Sequence, residues 1–290
     1  RIYCGFNPMG TVTGRFSSSH PNLQQVPARD PELGPMIRSL FIPEEDSEWY
    51  CADYSQQEPR VLIHYACLKD MSSALNVQKE FCRNDKTDFH KMVANMAGIE
   101  RKQAKTINLG LFYGMGNKKL AGQLGLEQDQ AYELFNQYHN RVPFVRELSR
   151  QVSNVAGSRG YIKTLLGRKR RFDLWEPRDS WGERAYSLSE AYSHYPKQEL
   201  KRAYTHTALN ALIQGSSADI TKSAMIKIYE AGLLDEIDLK LTIHDELDFS
   251  IPWNKQKCFE EALQIMKTCV KLKVPLKVDV EKGDNWGNAK

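Results

Sequence analysis

Residues 49–60 read W-Y-C-A-D-Y-S-Q-Q-E-P-R, and the reading of this stretch decides the fold. Trp49, Tyr50 and Cys51 are bulky and suit a strand. Asp53 follows where that strand should stop, and a carboxylate at a strand end faces a cleft rather than a core. Hard divalent cations take oxygen ligands of this kind. Ser55 is placed to cap a following helix, with Glu58 three residues on as the capping-box carboxylate. Pro59 is tolerated because it lies in the first helical turn. Two readings fit these residues alone: a plain capped helix after a buried strand, or a strand end that presents a metal-binding carboxylate.

The chain has 290 residues, enough for one large domain or two intimate ones. Hydrophobic residues make up 41%, which argues for a packed core and against disorder. The net charge is only +4, so any polyanion site must come from local clustering. Six cysteines show no C-x-x-C pair, which points to reduced thiols in an intracellular protein and away from a zinc site. No apolar run approaches a membrane span and no signal peptide opens the chain. The first residue is Arg1, so the expectation is a fragment, a processed product or one part of a split protein.

Residues 11–27 are polar and turn-rich, and Arg15 there is either an ordinary surface arginine or a donor for a nucleic acid backbone or base edge. Residues 60–82 carry helical spacing, and Asp88 is the N-cap of a further helix that begins near His90. In R-K-Q-A-K-T-I-N-L-G-L-F-Y-G-M-G at 101–116, Arg101 and Lys105 share one helix face, and Leu109 and Tyr113 continue the row. Such a ribbon is either a solvated basic face or a holder for a nucleoside triphosphate, with the two cations on phosphates and Tyr113 against a base. The glycines there lack phosphate-loop spacing. Residues 127–156 predict a long helix or a pair broken at Pro143, and 157–172 a hairpin followed by the basic run Arg168 to Arg171, the densest candidate phosphate contact. Residues 173–200 show no period and read as an insertion. Asn210 and Gln214 point the same way from a helix over 203–231. Asp238 to Pro252 alternates as two strands around His244-Asp245-Glu246, an acidic hairpin tip without the Asn-Gly or Asp-Gly of a plain turn. An amphipathic helix over 255–272, a last strand over Pro275 to Val280 and G-D-N-W-G-N-A-K close the chain.

Taken in order, these stretches resemble the polymerase domain of the family A DNA polymerases, bacterial and phage. T-G-R-F-S-S at 13–18 with P-N-L-Q-Q-V-P at 21–27 is similar to the start of that family's palm, and D-Y-S-Q-Q-E-P-R at 53–60 to its motif A. R-x-x-x-K-x-x-x-L-G-x-x-Y-G at 101–114 resembles motif B, H-D-E at 244–246 motif C, and G-D-N-W the family's ending. The resemblance implies an α+β right-hand fold: an antiparallel palm sheet over 1–66 and 205–290, with helical fingers inserted over 67–204. Thumb and exonuclease would be absent, cut away or on a separate chain. It implies template-directed addition of dNTPs to a primer 3′-hydroxyl on primer–template DNA, with two magnesium ions, for which manganese substitutes. Asp53, Asp245 and Lys105 would be the catalytic groups, and Asp53, Asp245 and the Tyr54 carbonyl the metal ligands. Arg101, Lys105, His90, Tyr113, Leu109, Gln57 and Glu58 would bind the nucleotide, with Glu58 crowding the ribose 2′-position. Arg15, Asn210, Gln214, His244 and Glu246 would meet DNA. The implied setting is a bacterial or phage-infected cytoplasm, or an organelle, with no membrane partner.

The chain departs from the family pattern at several places, the 173–200 insertion being longer than the bacterial pattern. Leu109 stands where most relatives have Phe or Tyr, His206 where many have Arg, and the spacing from His90 to Arg101 is the compact one of phage members. A single-subunit RNA polymerase shares the two-aspartate plan, but Glu58 argues against it because a ribonucleotide enzyme needs room for the 2′-hydroxyl. A non-catalytic DNA-binding subunit of a split polymerase has no need of Asp53, Asp245, Arg101 and Lys105.

Overall fold

The computed structural model describes residues 1–27, 30–84, 86–112, 117–179 and 184–289. Tyr113 and Trp181 fall outside them. In chain order, β1 (Gly5–Asn7) and β2 (Ser17–Ser19) precede α1 (Leu33–Arg38), and β3 (Ser47–Tyr54) runs into α2 (Gln57–Cys67). Helices α3 (Ser72–Arg83), α4 (Phe89–Ala97), α5 (Arg101–Phe112), α6 (Asn117–Leu124), α7 (Gln128–Arg141) and α8 (Pro143–Arg159) follow. Short strands β4 (Tyr161–Lys163), β5 (Lys169–Arg171) and β6 (Trp175–Pro177) lead to α9 (Leu188–His194) and β7 (Leu200–Arg202). The long α10 (Ala208–Glu230) precedes the hairpin β8 (Asp238–Ile243) and β9 (Glu246–Pro252), then α11 (Gln256–Thr268) and β10 (Val278–Gly283). The chain divides into two compact units, Arg1–Val61 with Ser217–Lys290, and Leu62–Ser216.

The first unit is built on an antiparallel sheet of order β10-β3-β9-β8. Its central strand β3 is covered on both faces, which is why 49–52 reads as an unbroken apolar run and not as an alternation. On one face Trp49 and Cys51 join Leu23, Leu241, Trp286 and Ala289 in a single cluster. On the other, Tyr50 meets Phe259 of α11 with ring centroids 4.7 Å apart, and the Tyr54 hydroxyl donates to the Met266 carbonyl at 2.8 Å.

The closing G-D-N-W motif is a core plug. Trp286 is fully buried, stacks on Trp49 at 6.2 Å, takes Phe41 edge-on at 5.3 Å and lies under the Arg38 guanidinium at 4.5 Å. Gly287 permits that approach, since a Cβ there would stand 2.7 Å from the Pro35 carbonyl oxygen. Truncating so large a buried ring leaves a cavity that the sheet cannot close. Trp286→Ala is therefore expected to lower unfolding free energy by about 3–5 kcal/mol, read as a fall in urea midpoint at constant slope. Trp286→Phe should cost clearly less.

The second unit is mainly helical. The pair broken at Pro143 is as expected, with Pro143 opening α8, where its missing N–H costs nothing. Residues 173–200 are not featureless: β6 pairs with β7 and α9 lies between them. Elements this short leave no period to read. The last strand begins at Val278 and not at Pro275: the Pro275 carbonyl accepts from the Arg60 side chain at 2.6 Å, and pairing with β3 takes up only from the Lys277 carbonyl, which accepts from the Ser55 N–H at 2.9 Å.

Candidate active site

Asp53 occupies the last but one position of β3, on the face that carries Trp49 and Cys51, and it is exposed where those two are buried. The apolar cover runs out there, so the side chain meets solvent. Its partners across the sheet are Glu246 on β9 and Asp279 on β10. A cavity of about 350 Å³ is lined by Cys51, Asp53, Glu246, Asp279 and Glu281. Behind it Cys51, Glu246 and Asp248, all buried, bring potential ligand atoms within 4.8 Å of one another.

Asp245 reaches the same end of the sheet through the backbone. The hairpin between β8 and β9 turns on His244 and Asp245 alone, with Ile243 opposite Glu246 and His244 at a φ of 59°. Glu246 therefore belongs to the strand and not to the tip, a correction to the three-residue acidic tip read from the sequence. The Tyr54 N–H donates to the Asp245 carbonyl at 3.2 Å, so Asp245 is bonded through its backbone to the residue that follows Asp53. Burial pushes the Asp245 carboxyl above its ordinary range and the charge of Glu246 adds to this, while Arg15 and His244 oppose it. The His244 ring is held below its usual value by desolvation first and by the Arg15 guanidinium second. Asp279 sits below the usual carboxylate range. Desolvation works against this, but hydrogen bonds from Lys277, 2.6 Å away, and Ser55 outweigh it.

Motif A starts its helix differently from the capping-box expectation. Gln56 takes a left-handed φ of 51° and α2 begins at Gln57, so Ser55 stands one residue too early to be the N-cap. The Glu58 carboxylate instead receives Arg15 Nη2 at 2.7 Å, with side-chain exposures of 12% and 20%. Gln57 is turned inward, 1% exposed, and its amide donates to Thr221 Oγ1 at 3.4 Å, which commits the side chain to packing rather than to a nucleotide. Tyr54 is buried, so only its backbone is available as a ligand.

In the second unit, α5 carries Arg101, Lys105 and Leu109 along one row, the two cations exposed and Leu109 half-buried. Arg101 is paired with Asp88, Nε at 2.8 Å and Nη2 at 2.7 Å from Oδ2. Asp88 also caps α4 by accepting from the Lys91 N–H. His90 is buried, and burial lowers its pKa to about 4, helped by Lys105 and Arg101 and opposed by Asp88. Asn210 and Gln214 are half-buried on one face of α10. The basic run 168–171 is partly committed inward: Arg168 donates to the Gly215 carbonyl at 2.9 Å, and Arg170 lies over Phe172.

Sequence reasoning missed Asp279, Glu281 and Asp248. The parity of V-D-V-E at 278–281 and D-E-L-D at 245–248 is the signal that held them, since residues two apart share a sheet face.

The model for DNA polymerase family A matches residues 1–288. The chain belongs to the family A DNA polymerases. It is 40% identical to a DNA-directed DNA polymerase of Pseudomonas phage M6, with 97% of this chain and 44% of that protein covered. Against DNA polymerase I of Rhizobium leguminosarum it is 33% identical over all of this chain and 28% of the relative. The chain thus spans less than half the length of these family members. Among solved structures, the POL domain of Pol1 from M. smegmatis, in complex with DNA primer-template and dNTP, superposes with a TM-score of 0.82 at 33% identity, covering 100% of this chain and 48% of that one. The family A polymerase domain is thereby the fold of this chain, an α+β arrangement around an antiparallel sheet. No helix among the described residues is long and apolar enough to cross a membrane.

Proposed function

We propose that the chain is the catalytic core of a template-directed DNA polymerase that adds dNTPs to a primer 3′-hydroxyl, in an intracellular setting. The observation that carries this reading is backbone adjacency: the Tyr54 N–H to Asp245 carbonyl bond sets Asp53 and Asp245 at one end of the β3–β9 sheet, where Asp53, Glu246, Asp279 and Glu281 line a cavity. On this reading the palm comprises residues 1–66 and 205–290, and the fingers 67–204.

The donor set fits hard divalent cations. Carboxylate oxygens of Asp53 and Asp245 with the Tyr54 carbonyl are oxygen ligands, and a cation there would oppose the burial that raises the Asp245 pKa. Magnesium, with manganese as substitute, would supply Lewis acidity there, making the 3′-hydroxyl more acidic and offsetting charge on the departing pyrophosphate. The chain's own residues position the reactants. Lys105 and Arg101 attract the triphosphate, for which Arg101 exchanges Asp88 as its partner. Glu58, braced by Arg15, crowds the sugar 2′-position. Arg15, His244, Asn210 and Gln214 would face primer–template DNA, whereas Glu246, expected there from the sequence, is buried in β9. Any separate chain with thumb or exonuclease would add grip and proofreading. The test is primer extension by the purified chain with magnesium and the four dNTPs; no extended product under any divalent cation overturns the reading.

Leu109 marks a specificity position. A branched aliphatic side chain there offers no hydroxyl to the sugar's 3′ side. Leu109→Tyr is expected to raise dideoxynucleotide incorporation by about tenfold or more, because the phenol hydroxyl would supply the hydrogen-bonding group that a sugar without a 3′-hydroxyl lacks. An unchanged termination ladder refutes this.

A further inference from the structure

His90, Asn108 and Tyr138 form a buried polar chain across α4, α5 and α7. Tyr138 Oη donates to Asn108 Oδ1 at 2.5 Å, and Asn108 Nδ2 lies 3.0 Å from His90 Nδ1. Asn108 and Tyr138 are wholly buried and His90 is 8% exposed. We propose that Tyr138 and Asn108 are positioning residues that hold His90 as the Nε2–H tautomer, so that its other ring nitrogen is a fixed hydrogen-bond donor to a triphosphate oxygen. The phosphate part rests on the polymerase reading; the tautomer part does not.

The argument is one of donors and acceptors. A carboxamide nitrogen only donates and its oxygen only accepts. Tyr138 fixes which end of Asn108 is which: its wholly buried phenol stays protonated, burial raising its pKa, and among the described residues Asn108 is the one acceptor within reach of that O–H, so the end facing it is the amide oxygen. Asn108 Nδ2 must then donate to His90 Nδ1, and a ring nitrogen that accepts carries no proton. The proton stands on Nε2. An imidazolium would set two N–H groups against each other at Nδ1, so the same geometry that selects the tautomer disfavours the cation. The charged groups around the ring agree. Burial lowers the His90 pKa to about 4, Lys105 and Arg101 on α5 lower it further, and only Asp88, at the N-cap of its own helix, acts the other way. Tyr138 is the group presented by α7. The site thus gains a directed donor without a third positive charge beside Lys105 and Arg101, and its anion affinity has no step from His90 near neutral pH.

The test is long-range proton–nitrogen NMR of the whole chain labelled with ¹⁵N-histidine, with His90→Gln used to assign the signal among the seven histidines. The expected result is an unprotonated Nδ1 and a protonated Nε2, unchanged between about pH 5.5 and 8. Asn108→Asp replaces the donor by an acceptor and should move the proton to Nδ1 and bring the ring's titration up toward neutrality. Tyr138→Phe should mix the two tautomers and raise KM for dNTP by about tenfold with a smaller change in kcat. An Nδ1–H signal in the unaltered chain overturns the tautomer assignment, and it does so even if neither variant folds. The expected tautomer with a dNTP KM insensitive to both substitutions overturns the phosphate role. Absence of any primer extension removes the polymerase reading and leaves the NMR result standing.

Discussion

Asp53→Ala and Asp245→Ala are each expected to reduce kcat/KM for primer extension by at least about 1,000-fold, equivalent to about 4 kcal/mol of transition-state stabilisation. Asp53 is exposed at the end of β3, so its removal leaves no cavity and the fold should survive. Two divalent cations about 3.5–4 Å apart require dense negative charge, and neighbouring carboxylates cannot replace a missing one without moving. Glu246 is buried in β9 and Asp279 is engaged by Lys277. Loss of Asp245 also removes a carboxyl whose raised pKa comes from burial beside Glu246, so this variant should be no less stable than the parent at neutral pH. Stopped-flow primer extension with urea titrations of both variants separates chemistry from folding. Extension that survives either substitution at near-parental rate would end the metal assignment.

The second large effect is on sugar selection. Glu58→Ala should increase ribonucleotide use relative to dNTP by about 10–200-fold, the range expected when a pocket loses its ability to reject one small substituent. The physical reason is rigidity. Glu58 lies in the first turn of α2, is only 12% exposed in its side chain, and is clamped by Arg15 at 2.7 Å. A wall excludes only if it cannot swing away. Glu58→Gln keeps the bulk and should keep most of the discrimination, whereas Arg15→Ala releases the wall and should weaken it partway. Equal rNTP and dNTP ratios in Glu58→Ala and the parent would dispose of the gate, and with it the main argument against an RNA polymerase.

Much of this was legible before any coordinates. The strand at 49–54, the helix row through Arg101 and Lys105, and the paired strands around 244–246 each follow from side-chain size and period. What escaped lies where the chain obeys distant partners. Nothing in Gln56 advertises a left-handed backbone, yet that residue shifts the helix start and frees Glu58 for Arg15. Pro275-Leu276-Lys277 reads as strand, but the Pro275 carbonyl is taken by the Arg60 side chain. Asn108 sits within an apolar stretch and looks like an ordinary helix residue until Tyr138 and His90 are seen on either side of it. Asp88 reads as a cap and turns out to hold Arg101 as well.

Because β3 is hydrogen-bonded on both edges and covered on both faces, its amides should exchange with solvent only when the whole unit opens. The carboxylate proposed to hold the cations is thus anchored in the most protected strand of its unit. On warming, Asp53 should hold its place until the unit itself melts, and inactivation through this residue should coincide with melting rather than run ahead of it.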